Sequence, residues 1–511
     1  MDAPMLTPQT SGRATDRMAD RTLDGSRSDA LTVTGGTPLR GRVRVGGSKN
    51  AALPMLAAAL LPDGPTVLQR VPDLTDTRAM LELLRGLGAS VVCSGGTVHV
   101  DPAGVETGAG PIEPDPERVG TLRGAVCLLG PLLARAVLRG GGAVRLATVG
   151  GCDLGPRPID RHLAALTALG ATVERDARGV TVSADRLRGA EIDLSAPPAP
   201  GLPAVPTATG TANALCAAAV ADGVTVLRGA AREPEVVALG RLLNAAGAKI
   251  EGLGADTLRV TGVSELRGLP RRSTAAVVPG DRIEAATWMI AAVATGGRVV
   301  VDGVVPEEVA AVSRVLRDCG AIVSACGVAP HRAIRVVAAD RPLAFEARSA
   351  AFPGLPTDVA PQLAALAAVA DGTSLLTDEV FPGRIAHLAP LARFRASVER
   401  AGDTAVLTGG ELNAADVHAP DLRAAAALLI AALAAQGSSR IGGASVLLRG
   451  YERPAEKLRS LGATLGAPAA MAGRRPPLRS GRGGWRAAGR GRILAVTRPL
   501  PSETHACSAA A

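Results

Sequence analysis

LTALGATVER, residues 166–175, is the stretch whose reading decides the fold. A leucine-bearing helical run stops on Gly170, and a β-branched run begins straight after Ala171. Glycine just past the last periodic residue is the expected left-handed helix stop. The same step returns as LLRGLGASVV (83–92), LLNAAGAKIE (242–251), VLRDCGAIVS (315–324), LARFRASVER (391–400) and KLRSLGATLG (457–466), at intervals of 67–82 residues. A second step precedes each copy, again helix, glycine, short strand. It reads LLPDGPTVLQ (60–69), RGGGAVRLAT (139–148), VADGVTVLRG (220–229), ATGGRVVVDG (294–303), VADGTSLLTD (369–378) and AAQGSSRIGG (434–443). After most copies an alternating run with a turn predicts a hairpin, broken at Gly95-Gly96 in 90–100 and at Gly179 in 172–183. The chain is therefore read as an α/β protein of six βαβαββ repeats, three plus three.

The repeats set the domain reading. Residues 48–270 form one lobe, and 31–47 with 271–466 form the other. The aperiodic, basic stretch 262–280 is the expected boundary. Residues 1–30 and the Arg/Gly-rich 467–511 lack periodicity and read as disordered. Within 158–172, Ile159, His162, Leu163, Leu166 and Leu169 share one helical face, with Pro158 suited to the first helical position.

Composition narrows the function. Hydrophobic residues make up 47% and charged residues 20% of 511, a globular balance. The longest apolar run, 424–435, is 12 residues, short of the ~20 a membrane helix needs. No basic stretch leads into an apolar one near Met1, so a cytoplasmic protein without membrane contact is expected. Seven aromatic residues give little platform for base stacking. The net charge of +9 resides mostly in the tail, where eight arginines after Met471 face one glutamate. The body is near neutral, so no nucleic-acid partner is expected. The seven cysteines form no CxxC pair, and the six histidines no ligand-spaced pair, so no metal is expected.

In repeated βα units, function sits where strand leads into helix, because helix N-termini direct N–H groups at anions. Those loops carry Lys49 and Asn50 in GGSKN, Arg123, the run GGCDLGPR (150–157), Asp358 after Pro-Thr, Arg384, Arg423, and Arg449 in RGYER. Cations at equivalent loops of two lobes would line a cleft for a small, multiply charged anion. Singly, each arginine reads first as a solvated surface group; recurrence at the same place in the repeat is what points to a site. Cys152, in a glycine-rich loop five residues from Arg157, has the setting of an activated thiol, with a buried structural cysteine as the alternative. Asp358 reads as a functional carboxylate or as a helix cap.

At these residues the sequence resembles the enolpyruvyl transferases, closest to their UDP-sugar branch. The likeness runs in order from GGSKNAALPMLAAALL (46–61) through LRGAVCLLGPLLAR (122–135), GGCDLGPRPIDRHL (150–163), AAREPEVV (230–237), GDRIEAAT (280–287), FPGLPTDVAPQ (352–362) and DLRAAAALL (421–429) to RGYERPAEKLRSLGA (449–463). It implies a two-lobed inverted α/β barrel. It also implies transfer of the enolpyruvyl group of phosphoenolpyruvate to a sugar hydroxyl of a uridine nucleotide, with loss of phosphate. UDP-N-acetylglucosamine is the leading acceptor, and UMP or a related nucleotide, as in nucleoside-antibiotic assembly, the alternative. By position Lys49, Arg123, Arg157 and Arg449 would grip phosphoenolpyruvate. Cys152 would donate the proton or assist product release, and would take fosfomycin, and Asp358 would be the base. Asn50, Arg157, Pro158, Ile159, Asp160, Thr207, Thr209, Asp358 and Val380 would hold the nucleotide. Arg384 and Arg423 would support lobe closure. No cofactor is implied, phosphoenolpyruvate being a co-substrate, and a monomer would suffice. The chain departs from the family at Gly120, where a basic residue is common, at Leu448, and in VFPGR (380–384).

Overall fold

The computed structural model describes residues 29–107, 110–150, 159–197, 205–328 and 332–472. Among them the strands form six small sheets, four of four strands and two of three. The pattern within a sheet recurs. Val224–Arg228, for example, pairs antiparallel with Thr257–Thr261, which completes a hairpin with Lys249–Glu251. Its other edge takes Glu191–Asp193 in parallel. One sheet is assembled differently: Ala30–Thr34 pairs with Ser438–Gly442 on one side and Thr464–Gly466 on the other. Here the two ends of the described chain supply the equivalent of a hairpin.

Two hydrophobic cores lie under these sheets. One is drawn from Ala51 to Val278, the other from Leu31–Val45 together with Ile283–Met471. Sequence explains their centres. The helices Lys49–Ala58, Arg282–Ala294 and Leu422–Ala434 are alanine-rich and largely apolar all round, and nearly all their residues are buried. A helix apolar all round is a central helix. Small alanines let neighbours approach, as where Ala360–Ala367 packs on Leu422–Ala434. The helices with one apolar stripe, Thr75–Gly86 and Ala310–Asp318, keep most of their charged residues outward, Asp76 excepted.

The described chain passes between the cores at 45–51 and 278–283, and the two passages are bonded to each other. Gly47 bridges Gly280 antiparallel, Ser48 N donates to Pro279 O at 2.8 Å, and Asp281 N donates to Gly46 O at 3.1 Å. Arg70 donates from Nη2 to Val45 O at 3.1 Å and to Gly303 O at 2.7 Å. A side chain at Gly47 would place its Cβ 2.0 Å from Arg70 O, so only glycine fits this crossing.

Several boundaries differ from the sequence reading. Asp29 and Ala30 are structured: Asp29 accepts from Ser445 Oγ at 2.6 Å, and Ala30 pairs with Gly442. At the other end a short helix, Ala469–Ala472, continues past 466, with Met471 in the second core. The stretch 262–280 is aperiodic because it is an edge segment, yet Leu266, Leu269, Ala276 and Val278 pack into the first core. Gly179 opens a strand instead of making the turn, since it directly follows Ala177-Arg178. The helix after the cysteine loop starts at Asp160, and Pro158 lies outside the described residues.

Candidate active site

Lys49 owes its place to Ser48. Ser48 caps the helix Lys49–Ala58, its Oγ accepting from Ala51 N at 3.4 Å, so Lys49 opens the first turn. Lys49 N also reaches Asp281 Oδ2 at 3.3 Å, while Asp281 Oδ1 caps the helix Arg282–Ala294 of the other core. The lysine backbone is thereby tied to both halves.

Its side chain meets a residue the sequence reading missed. Lys49 Nζ lies 3.3 Å from Asp76 Oδ2, and Arg449 Nε lies 2.8 Å from Asp76 Oδ1. Asp76 is only 7% exposed and sits in the first turn of Thr75–Gly86. Arg449, from the second core's half, ends the 3-10 turn Ala444–Arg449. Residues 400 positions apart in sequence thus share one buried carboxylate. An acidic residue in a first helical turn reads as ordinary capping, so nothing in its spacing marked Asp76.

Asp358 forms the second focus. It lies in a 3-10 turn, Thr357–Val359, ahead of Ala360–Ala367. Arg384 Nη1 donates to Oδ1 at 2.6 Å and Arg423 Nη2 to Oδ2 at 2.9 Å. Burial opposes ionisation, but Arg423, Arg384 and the charge of Lys49 outweigh it and hold the carboxyl well below its usual range. Arg384 and Arg423, expected at lobe closure, therefore both grip Asp358. Arg423 is presented by Asp421, which caps Leu422–Ala434. Arg384 lies over the Phe381 ring, 5.3 Å from its centroid. A second missed carboxylate supports the turn. Buried Asp378 accepts from Thr357 Oγ1 at 2.5 Å, and from Val380 N and Phe381 N at 3.0 Å. It ties the Asp358 turn to the Val380–Arg384 loop, and burial raises its own pKa.

Arg123 begins the 3-10 turn Arg123–Leu128. Its charge reaches two buried groups. Burial pushes the Cys127 thiol up to about 12 against the pull of Arg123. Burial and then Arg123 bring His162 down to about 3, so its imidazole is neutral. His162 Nδ1 accepts from Asn213 Nδ2 at 2.7 Å, and that amide also donates to Val126 O and accepts from Gly130 N, both at 2.9 Å. Asn213 thus fastens the Arg123 turn to the helix Asp160–Ala168.

The remaining expected residues fall as follows. Asn50 is exposed on the first turn after Ser48. Ile159 caps, and Asp160 opens, the helix after the cysteine loop; Asp160 pairs with Arg175 at 2.7 Å on the surface. Thr207 caps Ala208–Ala218, its Oγ1 accepting from Gly210 N at 3.1 Å. Thr209 Oγ1 lies 3.3 Å from His162 Nε2. Cys152, Arg157 and Pro158 lie outside the described residues. A cavity of about 990 Å³ adjoins the crossing, lined by Arg44, Gly47, Arg70, Cys93, Glu452 and Lys457. Lys49, Asp76, Asp358 and Arg449 do not line it.

Chemically, the described residues bring together two cations at one carboxylate and a second carboxylate clamped by two guanidinium groups. Such a set has the chemistry to hold a small polyanion, with an ionised carboxylate near the Lys49 charge. The chain is 44% identical over 440 residues to UDP-N-acetylglucosamine 1-carboxyvinyltransferase of Anaeromyxobacter sp. (strain K), covering 86% of this chain and 99% of that relative. It is 41% identical over 448 residues to UDP-N-acetylglucosamine 1-carboxyvinyltransferase 1 of Symbiobacterium thermophilum, covering 86% and 95%. Among solved structures, the enolpyruvyl transferase NikO from Streptomyces tendae superposes with a TM-score of 0.73 at 26% identity, over 86% of this chain and 98% of that one. EPSP synthase from Acinetobacter baumannii shares the fold, with a TM-score of 0.63 at 19% identity over 86% and 99%. Residues 33–458 match the family described as EPSP synthase (3-phosphoshikimate 1-carboxyvinyltransferase), and the chain belongs to that family of enolpyruvyl transferases.

Proposed function

We propose that this protein transfers the enolpyruvyl group of phosphoenolpyruvate to a sugar hydroxyl of UDP-N-acetylglucosamine and releases inorganic phosphate. The observation that carries the reading is the meeting of Lys49 and Arg449 at Asp76, beside a carboxylate that feels the Lys49 charge. Phosphoenolpyruvate holds a carboxylate and a phosphate close together, and needs such fixed cations. In our reading Lys49, Arg123 and Arg449, with Arg157, hold it. The six sheets are read as six copies of one repeat, three to a lobe, facing each other as an inverted barrel.

Two proton transfers frame the reaction. The acceptor hydroxyl oxygen bonds to C2 of phosphoenolpyruvate while its proton passes to Asp358 and a proton from Cys152 reaches the methylene carbon. Loss of a proton from the resulting methyl group then expels phosphate and regenerates the double bond. Asp358 is poised as an anion but is a weak base while both arginines hold it. Substrate must loosen at least one of those contacts before the proton moves. Water is kept from the tetrahedral intermediate by closure of the lobes.

A second reading, transfer to UMP or a related nucleotide, draws support from the likeness to NikO and from the VFPGR loop at 380–384. Phosphate release with phosphoenolpyruvate plus either acceptor separates the two. Turnover with UDP-N-acetylglucosamine and not UMP supports the first, the reverse supports the second, and turnover with neither removes both.

A further inference from the structure

We propose that Glu235 and Arg282 are positioning residues for Asp358, their buried ion pair joining the two halves and holding the 352–358 segment in place. This rests on the enolpyruvyl-transfer reading and deepens it. Glu235 lies in the helix Pro234–Ala245 of the first core's half, and Arg282 opens the helix Arg282–Ala294 in the second. Arg282 Nε stands 3.0 Å from Glu235 Oε1 and 3.3 Å from Oε2. The two side chains are 8% and 6% exposed. A pair so deeply buried and spanning two cores gives a unique register between them, whatever its net contribution to stability.

The pair also reaches the Asp358 segment. The Arg282 guanidinium lies over the Phe352 ring, 5.5 Å from its centroid, within cation–π range. Burial raises the pKa of the Glu233 carboxyl, two residues before Glu235, and the nearby Phe352 backbone N–H exerts a smaller pull the other way. From Phe352 the chain runs only six residues to Asp358, and it is tightly turned. Gly354 N donates to Ala351 O at 2.8 Å, Ala350 N to Leu355 O at 2.9 Å, and Leu355 is buried in the second core. A shift at Phe352 therefore moves the turn that aims Asp358 at Arg384 and Arg423. The residues act through Asp358 and touch no reacting atom in this account.

Glu235→Gln keeps the shape and removes the charge that orients Arg282. Two readouts test the proposal: steady-state phosphate release, and amide hydrogen exchange of substrate-free protein. We expect kcat to fall at least tenfold with KM for the nucleotide within threefold. Exchange across 350–359 should rise at least tenfold, while that of Ala208–Ala218 stays unchanged. Glu235→Asp should recover most of both. Phe352→Leu, which leaves the ion pair intact, should raise exchange in the same segment and serves if Glu235→Gln fails to fold. Unchanged exchange at 350–359 in both variants overturns the proposal, as does a kcat within twofold of the unaltered protein. Should the unaltered protein release no phosphate, the functional reading fails alone, because the exchange arm still decides the positioning role.

Discussion

Asp358→Asn is the perturbation with the clearest arithmetic. The substitution preserves volume but leaves Arg384 and Arg423, 4% and 8% exposed, without their shared countercharge. Breaking a buried pair by removing one partner costs about 3–5 kcal/mol. The Asp358 carboxyl keeps 25% of its surface in contact with solvent, so we take the lower end, about 3 kcal/mol. In a unit of roughly 200 residues, each kcal/mol shifts the midpoint by about 2–4 °C, so the second half should melt about 6–12 °C earlier. The sign with pH follows from a folded pKa held below the unfolded one. The stabilisation is complete above the unfolded value of about 3.9 and is lost as pH falls further toward the folded value. The gap between the two proteins should be widest near neutrality and narrow below pH ~4. Thermal unfolding by circular dichroism at a series of pH values measures it, and turnover should fall by about 10²-fold or more if the base reading holds. Equal midpoints at pH 7.5, or a gap that widens toward acid, would refute the clamp.

Other outcomes are testable with single changes. His162 is buried neutral, its pKa brought to about 3, so the unfolded chain takes up a proton that the folded one refuses. The unaltered protein should lose about 1.4 kcal/mol per pH unit below about pH 6, a slope absent from His162→Gln in denaturant titrations. A Cβ at Gly120 meets nothing within 4 Å, so Gly120→Arg should fold normally and lower KM for phosphoenolpyruvate several-fold. An unaltered KM would disconnect that position from the substrate. Gly47→Ala forces its Cβ against Arg70 O and should cost about 1–3 kcal/mol with a drop in kcat, since Lys49 is two residues on. Wild-type stability and turnover would show that the crossing yields easily. Cys152→Asp should retain turnover and escape fosfomycin labelling by mass spectrometry, because a carboxylic acid also donates a proton; labelling that persists would place the reactive thiol elsewhere.

What could be read without coordinates was what local chemistry encodes. The helix-stop glycines at 64, 170, 223, 372 and 437 do adopt positive φ, because that conformation is written in one residue, whereas in RGGGAV and ATGGRV the positive φ falls on Gly140-Gly141 and Gly296 and not on the expected Gly142 and Gly297. GGSKN opened a helix since serine followed by helix formers is a local cap signal. The supporting carboxylates were hidden for the opposite reason. Asp76, Asp378 and Glu235 gain their meaning from partners 21 to 373 positions away, or from burial that no spacing announces. Arg282 sits in the quoted run GDRIEAAT, yet only its bond to Glu235 shows what it does. The N-terminal boundary slipped because Ala30 pairs with Gly442, in a strand whose other edge pairs with Thr464–Gly466, a contact between the two ends of the described chain.

That last pairing bears on synthesis. Residues 51–278 can complete their own core while the ribosome is still making the rest, as vectorial folding favours. Ala30–Thr34 is made before all of it but must wait, unpartnered, until 438–442 and 464–466 emerge. An early strand held open so long is a template for wrong edge pairing. Nascent chains stalled near 430 should therefore bind holdase chaperones through this strand, and chains released past 466 should not.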